Sequence, residues 1–160
     1  MKYLFLIVLS VVLVCAGCHS DSKDEEEKQQ EEMEVSLYDE NKEAIAYIDF
    51  NDEATIYMFD GEPVAYIETE DEVYGFNGKH LGWYVDGVLY DMTHHAVGAK
   101  QGIEKGGLNT VITSLEKIKG VKHVKPVKSV KSVGHVRPYF IDTWSKTSLT
   151  DFLAGGKKYI

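Results

Sequence analysis

The sequence predicts an all-β domain: four short β-hairpin repeats in a pseudo-four-fold ring, with an extended period-three strap and a short C-terminal helix. Three observations predict it. One motif recurs on Tyr38, Tyr57, Tyr74 and Tyr90, at spacings of 19, 17 and 16 residues. Turn-forming dipeptides stand at a single offset inside the copies. Aliphatic residues then recur every third position from Ile112 to Val136.

Composition bounds the rest. A chain of 160 residues, 44% hydrophobic and 11% aromatic, suits one domain and is too apolar to be wholly disordered. The net charge of −9 hides an asymmetry: residues 21–72 carry 20 acids and 3 lysines, whereas residues 73–160 carry 13 bases and 6 acids. This balance argues against a free nucleic-acid binder.

The first element is a targeting segment. Lys2 precedes an apolar run from Leu4 to Val14, the length of a signal-peptide core and short for a membrane span. The run ends in Cys15-Ala16-Gly17-Cys18, which resembles a bacterial lipobox with Cys15 where Leu, Val or Ile is usual. The reading is a signal peptide over residues 1–17, cleavage after Gly17 and lipidation of Cys18. An ordinary secretory signal or an uncleaved anchor is the alternative. After cleavage Cys18 is a thioether, which excludes disulfides, thiolate metal sites and a cysteine nucleophile. Residues 18–34 are dense in acid and form a solvated tether. An acidic run behind the lipidated cysteine also looks like a surface-export signal of some Gram-negative lipoproteins. The expected location is the cell envelope, lipid-anchored to a bacterial membrane.

The repeats occupy residues 35–100. Leu37, Ile56, Val73 and Leu89 precede the tyrosines by one. Ile45, Val64, Leu81 and Val97 follow by seven, Ala46, Ala65, Gly82 and Gly98 by eight, and Tyr47, Tyr66, Trp83 and Ala99 by nine. Asn41-Lys42, Asp60-Gly61, Asn77-Gly78 and Thr93-His94 hold the turns. Asp-Gly and Asn-Gly favour two-residue turns because both positions need φ > 0. Such a turn sets Tyr57 opposite Val64 and Ile56 opposite Ala65. Alternation then puts Tyr57, Phe59, Val64 and Tyr66 on one face, and Ile56, Met58, Ala65 and Ile67 on the other. Thr93-His94 predicts an irregular fourth turn. The Ala/Gly column lets four backbones approach a common axis.

The stretches "FDGEPVAYI", "VYGFNGKHLGWY" and "DGVLYD" resemble the four-fold beta-flower domain family, found in bacterial proteins often read as lipoproteins. The resemblance covers about residues 35–100, and Trp144-Ser145 to Leu153 is similar to the family's tail. It implies four short hairpins around an axis and brings no activity or catalytic residues.

Residues 101–137 form the basic period-three strap. From Val121 the triplets read VKH, VKP, VKS, VKS, VGH and VRP. Three residues per turn matches polyproline II. The strap is expected to lie over the ring with its valines covered and Lys122, Lys125, Lys128 and Lys131 facing the acids of residues 39–72. A polybasic site for an anionic partner is the alternative, and Leu108–Lys119 could instead be an amphipathic helix. In the C-terminal segment, residues 138–160, Ser148 caps a helix of one or two turns that docks Leu149, Phe152 and Leu153, together with Trp144.

Candidate sites are few. Tyr47, Tyr66 and Trp83 are the candidate ligand or partner surface if exposed; otherwise they are core between blades. His80, His94, His95 and Asp91 could hold a metal only by converging, and adjacent turn histidines usually point apart, so no metal and no cofactor are expected. Ser114-Leu115-Glu116-Lys117 matches S-x-x-K without its companion motifs. The leading expectation is a non-enzymatic envelope binding or scaffolding module. Its partners would be the membrane, through the anchor, and an envelope protein or glycan, with no nucleic acid. The alternative is a small carboxylate-dependent hydrolase acting on envelope glycan.

Overall fold

The computed structural model describes residues 33–111 and 117–158. The signal segment, Cys18 and nearly all of the acidic tether lie outside the described residues, as do Ser114 and Glu116. Eight strands follow one another: β1 (Glu34–Tyr38), β2 (Ala44–Asp49), β3 (Thr55–Met58), β4 (Pro63–Ile67), β5 (Glu72–Gly75), β6 (His80–Val85), β7 (Val88–Asp91) and β8 (His95–Ala99). Each pairs antiparallel with the next, and β1 pairs β8 through Tyr38 and Ala99, so the sheet closes. Closure at this seam shortens the free edge that would invite aggregation. The hairpins β1–β2, β3–β4, β5–β6 and β7–β8 are the four predicted repeats.

All four hairpins share one irregularity. Lys42, Gly61, Gly78 and His94 donate their N–H to Asp39, Met58, Gly75 and Asp91 carbonyls, at 3.0, 2.9, 2.9 and 2.9 Å. Only the second residue of each expected dipeptide is left-handed, with φ of 64°, 95°, 84° and 68° for these four residues in order. The loops are therefore three residues long, a tight turn followed by one left-handed residue, and not the expected two-residue turns. The fourth turn is as regular as the others. Where glycine is missing, an aspartate at the start of the turn compensates: Asp39 Oδ1 accepts from Asn41 and Glu43 N–H, and Asp91 Oδ1 from Thr93 and His95 N–H.

The longer loop shifts the register. Ile56 faces Ala65 as predicted, but Tyr57 faces Pro63, with a bulge between the two pairs. The same slip occurs after Leu37, Val73 and Leu89, which makes Ile45, Val64, Leu81 and Val97 the extra residues. A bulge breaks alternation. These four therefore join the aliphatic interior with Leu37, Ile56, Val73, Leu89, Ala46 and Ala65, and Val64 leaves the tyrosine face on which strict alternation had put it.

The small column lies in this interior. At Gly98 a Cβ would come within 2.9 Å of the Leu149 side chain, so the missing side chain makes room for the C-terminal helix α1 (Leu149–Ala154). Ser148 caps that helix, its hydroxyl accepting from Asp151 N–H at 3.1 Å. Leu149, Phe152 and Leu153 complete the core, and Trp144 packs beside Val88, Tyr90 and Ala96.

Two short strands, β9 (Glu104–Lys105) and β10 (Leu108–Asn109), form a small hairpin. Leu108 is thus in a strand, not in the helix considered for Leu108–Lys119, and residues 112–116 lie outside the description. Residues 117–140 carry neither helix nor strand, as the period-three pattern predicts. They lead into β11 (Ile141–Trp144), which adds parallel to β8.

Candidate functional site at the strap and its aromatic floor

The outer face of the ring is aromatic. Tyr47 opposes Tyr57, Tyr66 opposes Tyr74 and Trp83 opposes Tyr90 across neighbouring hairpins, and Ala99 takes the equivalent place opposite Tyr38 at the seam. The first two pairs stack, with ring centroids 5.6 and 6.3 Å apart. Tyr47, Tyr66 and Trp83, the predicted surface residues, are each only 1% exposed. Burial raises the hydroxyl pKa of Tyr47, Tyr57, Tyr66, Tyr74 and Tyr90.

The strap is part of what covers them, and it does so in register. Lys119 Nζ lies 5.0 Å above the Tyr47 ring and 2.8 Å from Glu34; nine residues on, Lys128 lies 4.1 Å above Tyr66 and 3.1 Å from Glu53. Lys122 sits 5.2 Å above Tyr57 and pairs with Asp49; nine residues on, Lys131 sits 5.2 Å above Tyr74 and 3.5 Å from Glu68. Lys125 pairs with Asp52 at 2.5 Å, and Arg137 with Asp71 at 3.0 Å.

The backbone repeats the same step. Gly120 and Ser129 donate N–H to the Phe59 and Phe76 carbonyls at 2.7 and 3.0 Å, and His123 and Ser132 to those of Gly61 and Gly78 at 2.9 and 2.7 Å. Nine strap residues thus correspond to one hairpin. The turn glycines serve twice: each is left-handed, and a Cβ on Gly61 or Gly78 would stand 2.0 Å from Val121 O or 2.1 Å from Val130 O.

The valines go the other way. Val121, Val124, Val127, Val130, Val133 and Val136 are between 82% and 95% exposed, with Ile118 and Tyr139 extending the ridge. The expectation that the strap packs because its valines need cover is therefore corrected. Contact comes from the other side, where lysine stems lie along the rings and their ammonium groups meet carboxylates. The floor already presents tyrosine faces ringed by acid, which suits a cation on a long apolar stem better than a branched methyl pair.

One triplet departs from the pattern. Gly134 replaces the inward lysine, and a Cβ there would stand 2.3 Å from Glu72 Oε1. Beside it His135 Nδ1 lies 3.1 Å from His80 Nδ1, with the rings stacked at 5.3 Å. His80 is 3% exposed, lies between Tyr74 and Trp83, and its buried Nε2 has no hydrogen-bond partner. Burial lowers its pKa, opposed by Glu72 and reinforced by His135. Sequence reading singled out His80 but missed His135 as its partner; the only signal was the interrupted lysine column.

His94 and His95 do not join this pair. His95 Nδ1 lies 2.9 Å from Thr143 Oγ1, and His94 crosses the edge of Trp83. Among the described residues no three His, Cys, Asp or Glu side chains are grouped to hold a metal ion. A cleft of about 90 Å³ lies between the first turn and the segment before α1, bordered by Asp39, Asn41, Val97, Trp144 and Lys146. That is below the ~300–1,000 Å³ of ordinary ligand pockets. The last hairpin is covered by Phe140, stacked on Tyr90 at 4.4 Å, and by Lys105, which pairs with Asp142 at 3.2 Å.

A family model described as "4-fold beta flower protein" matches residues 35–153. No curated protein and no solved structure matches the sequence.

Proposed function

The chain belongs to the 4-fold beta flower family, and from that premise we propose that it is a lipid-anchored bacterial envelope protein acting as a non-enzymatic binding module. The observation that carries this reading is the valine ridge. Six valines at every third position, nearly all of their surface in water, contribute nothing to holding the strap down. Serine in their place would keep every ion pair beneath. A regular exposed apolar ridge is accounted for by a partner that covers it.

The strap contacts successive hairpins in turn, so the ridge bends with the ring. A flat bilayer would meet only a few of its valines. An extended segment of an envelope protein lying along the ridge would meet most of them. The lipid anchor rests on the Cys15-Ala16-Gly17-Cys18 motif and its apolar leader.

The hydrolase reading needs two free acids facing a cavity. Glu34, Asp49, Asp52, Glu53 and Glu68 are all engaged by strap lysines, so it gains no support.

A photoreactive residue at Val127 in living cells is expected to yield a discrete adduct with another protein, whereas one at buried Trp83 crosslinks within the chain. Intramolecular products alone at Val127 would refute the module. Loss of palmitate labelling in Cys18→Ala tests the anchor independently.

A further inference from the structure

The geometry points to an acid-sensitive latch: His80 on the third hairpin and His135 on the strap hold that part of the strap down near neutral pH and release it on acidification. The latch does not depend on the anchor or on the partner.

Everywhere else the inward column of the strap meets the floor with Lys or Arg against carboxylate, a contact with no proton to gain near neutrality. At Gly134 that contact is missing, and Glu72 and the two histidines fill the place. Two Nδ1 atoms 3.1 Å apart can share one hydrogen bond only if one of them accepts. A first proton on the pair has Glu72 beside it. A second proton turns both atoms into donors and sets two positive charges face to face.

The surroundings do not relieve this. Lys131 and Arg137 flank the pair and are themselves cationic, each already holding its own acid, Glu68 or Asp71. Tyr74, which shares Glu72 through its hydroxyl, and Trp83 pack the remaining sides, and His94 lies across Trp83. His80 Nε2 is buried without a hydrogen-bond partner, and the Gly82 backbone, the one other group besides Glu72 that favours a proton on this ring, does not outweigh burial.

The sign follows from the lowered pKa of His80. Docking is intact above the ordinary histidine value of 6.5 and declines as the pH falls from there toward the lower value of the docked state. Release lifts His135 off the His80 ring and so loosens the edge of Trp83 on which His80 packs, while the lysine contacts keep the rest of the strap in place.

The test uses the full chain in detergent micelles with Trp144→Phe, leaving Trp83 as the only tryptophan. Acrylamide quenching of Trp83 and amide exchange over residues 129–137 are compared at about pH 7.5 and about pH 5. Quenching is expected to rise about threefold or more as the strap opens locally, with far-UV circular dichroism unchanged. In the same background His135→Asn, at an exposed position, should abolish the rise, and His123→Asn should keep it. No rise in the parent, an equal rise with His135→Asn, or a rise accompanied by loss of secondary structure would each overturn the latch.

Discussion

The ring and the strap solve the same problem in opposite ways. In the ring, apolar side chains turn inward, and Leu37, Ile48, Ile56, Val73 and Leu89 are fully buried. In the strap, the apolar side chains turn outward and the charged ones turn in. Each arrangement follows from what the segment meets. The strands close on themselves and leave an interior that only other apolar groups can fill. The strap meets a finished surface of tyrosine faces and carboxylates, and lysine complements both. Position in the assembly, not hydrophobicity alone, decides which side a valine takes.

The largest effect should come from the ring. Leu89→Ala removes a wholly buried side chain and should cost about 2–5 kcal/mol in denaturant unfolding. A loss as small as that of a strap valine would erase the contrast. Gly78→Ala is next, at more than about 1 kcal/mol, because it strains a left-handed residue and drives a methyl into Val130 O. Its signature is faster amide exchange at Ser129 and Ser132, the strap donors nearest that turn. Unchanged exchange there would show that the strap does not rely on this approach.

Lys122→Ala leaves the buried Asp49 carboxylate without its cation and should cost about 1–3 kcal/mol. Lys128→Ala should cost less, since its partner Glu53 is well exposed. Equal losses from the two would show that burial of the acid does not matter.

Asp91 offers a pH test at the fourth turn. Burial alone would raise its pKa, but hydrogen bonds from the Ser145 and Thr93 hydroxyls and the Thr93 and His95 N–H groups outweigh that and lower it. Its contribution is present above pH 3.8 and lost as the pH falls through the lower folded value. Asp91→Asn should flatten stability in that acid window; an unchanged slope would contradict the assignment. The smallest effect is Val127→Ser, within about 0.5 kcal/mol of wild type by thermal unfolding. A larger loss would mean that the ridge packs against the body after all.

Much of this was legible from residue spacing. Four copies at nearly equal intervals, an aromatic column and a small column require hairpins that bury one another, because a lone hairpin is unstable in water. A period of three from Ile112 to Val136, which is neither helix nor strand, marked the strap. Its lysines were legible as partners for the acids of residues 39–72, because one half of the chain carries the counter-charge of the other.

The bulges were not legible. The sequence offers Asp-Gly and Asn-Gly to a two-residue and a three-residue loop alike, and all four hairpins take the longer one. That choice moved Val64 and its equivalents from one face to the other. The direction of the valines was hidden for a related reason. A period of three defines three edges of an extended chain without saying which edge faces the body. The ring decided it by presenting tyrosines and carboxylates to lysine, as it decided that His135 should stand against His80, 55 residues away in the chain. Periodicity is a local property that a sequence carries by itself, whereas facing depends on the surface a segment meets, and that surface exists only after the strands have closed.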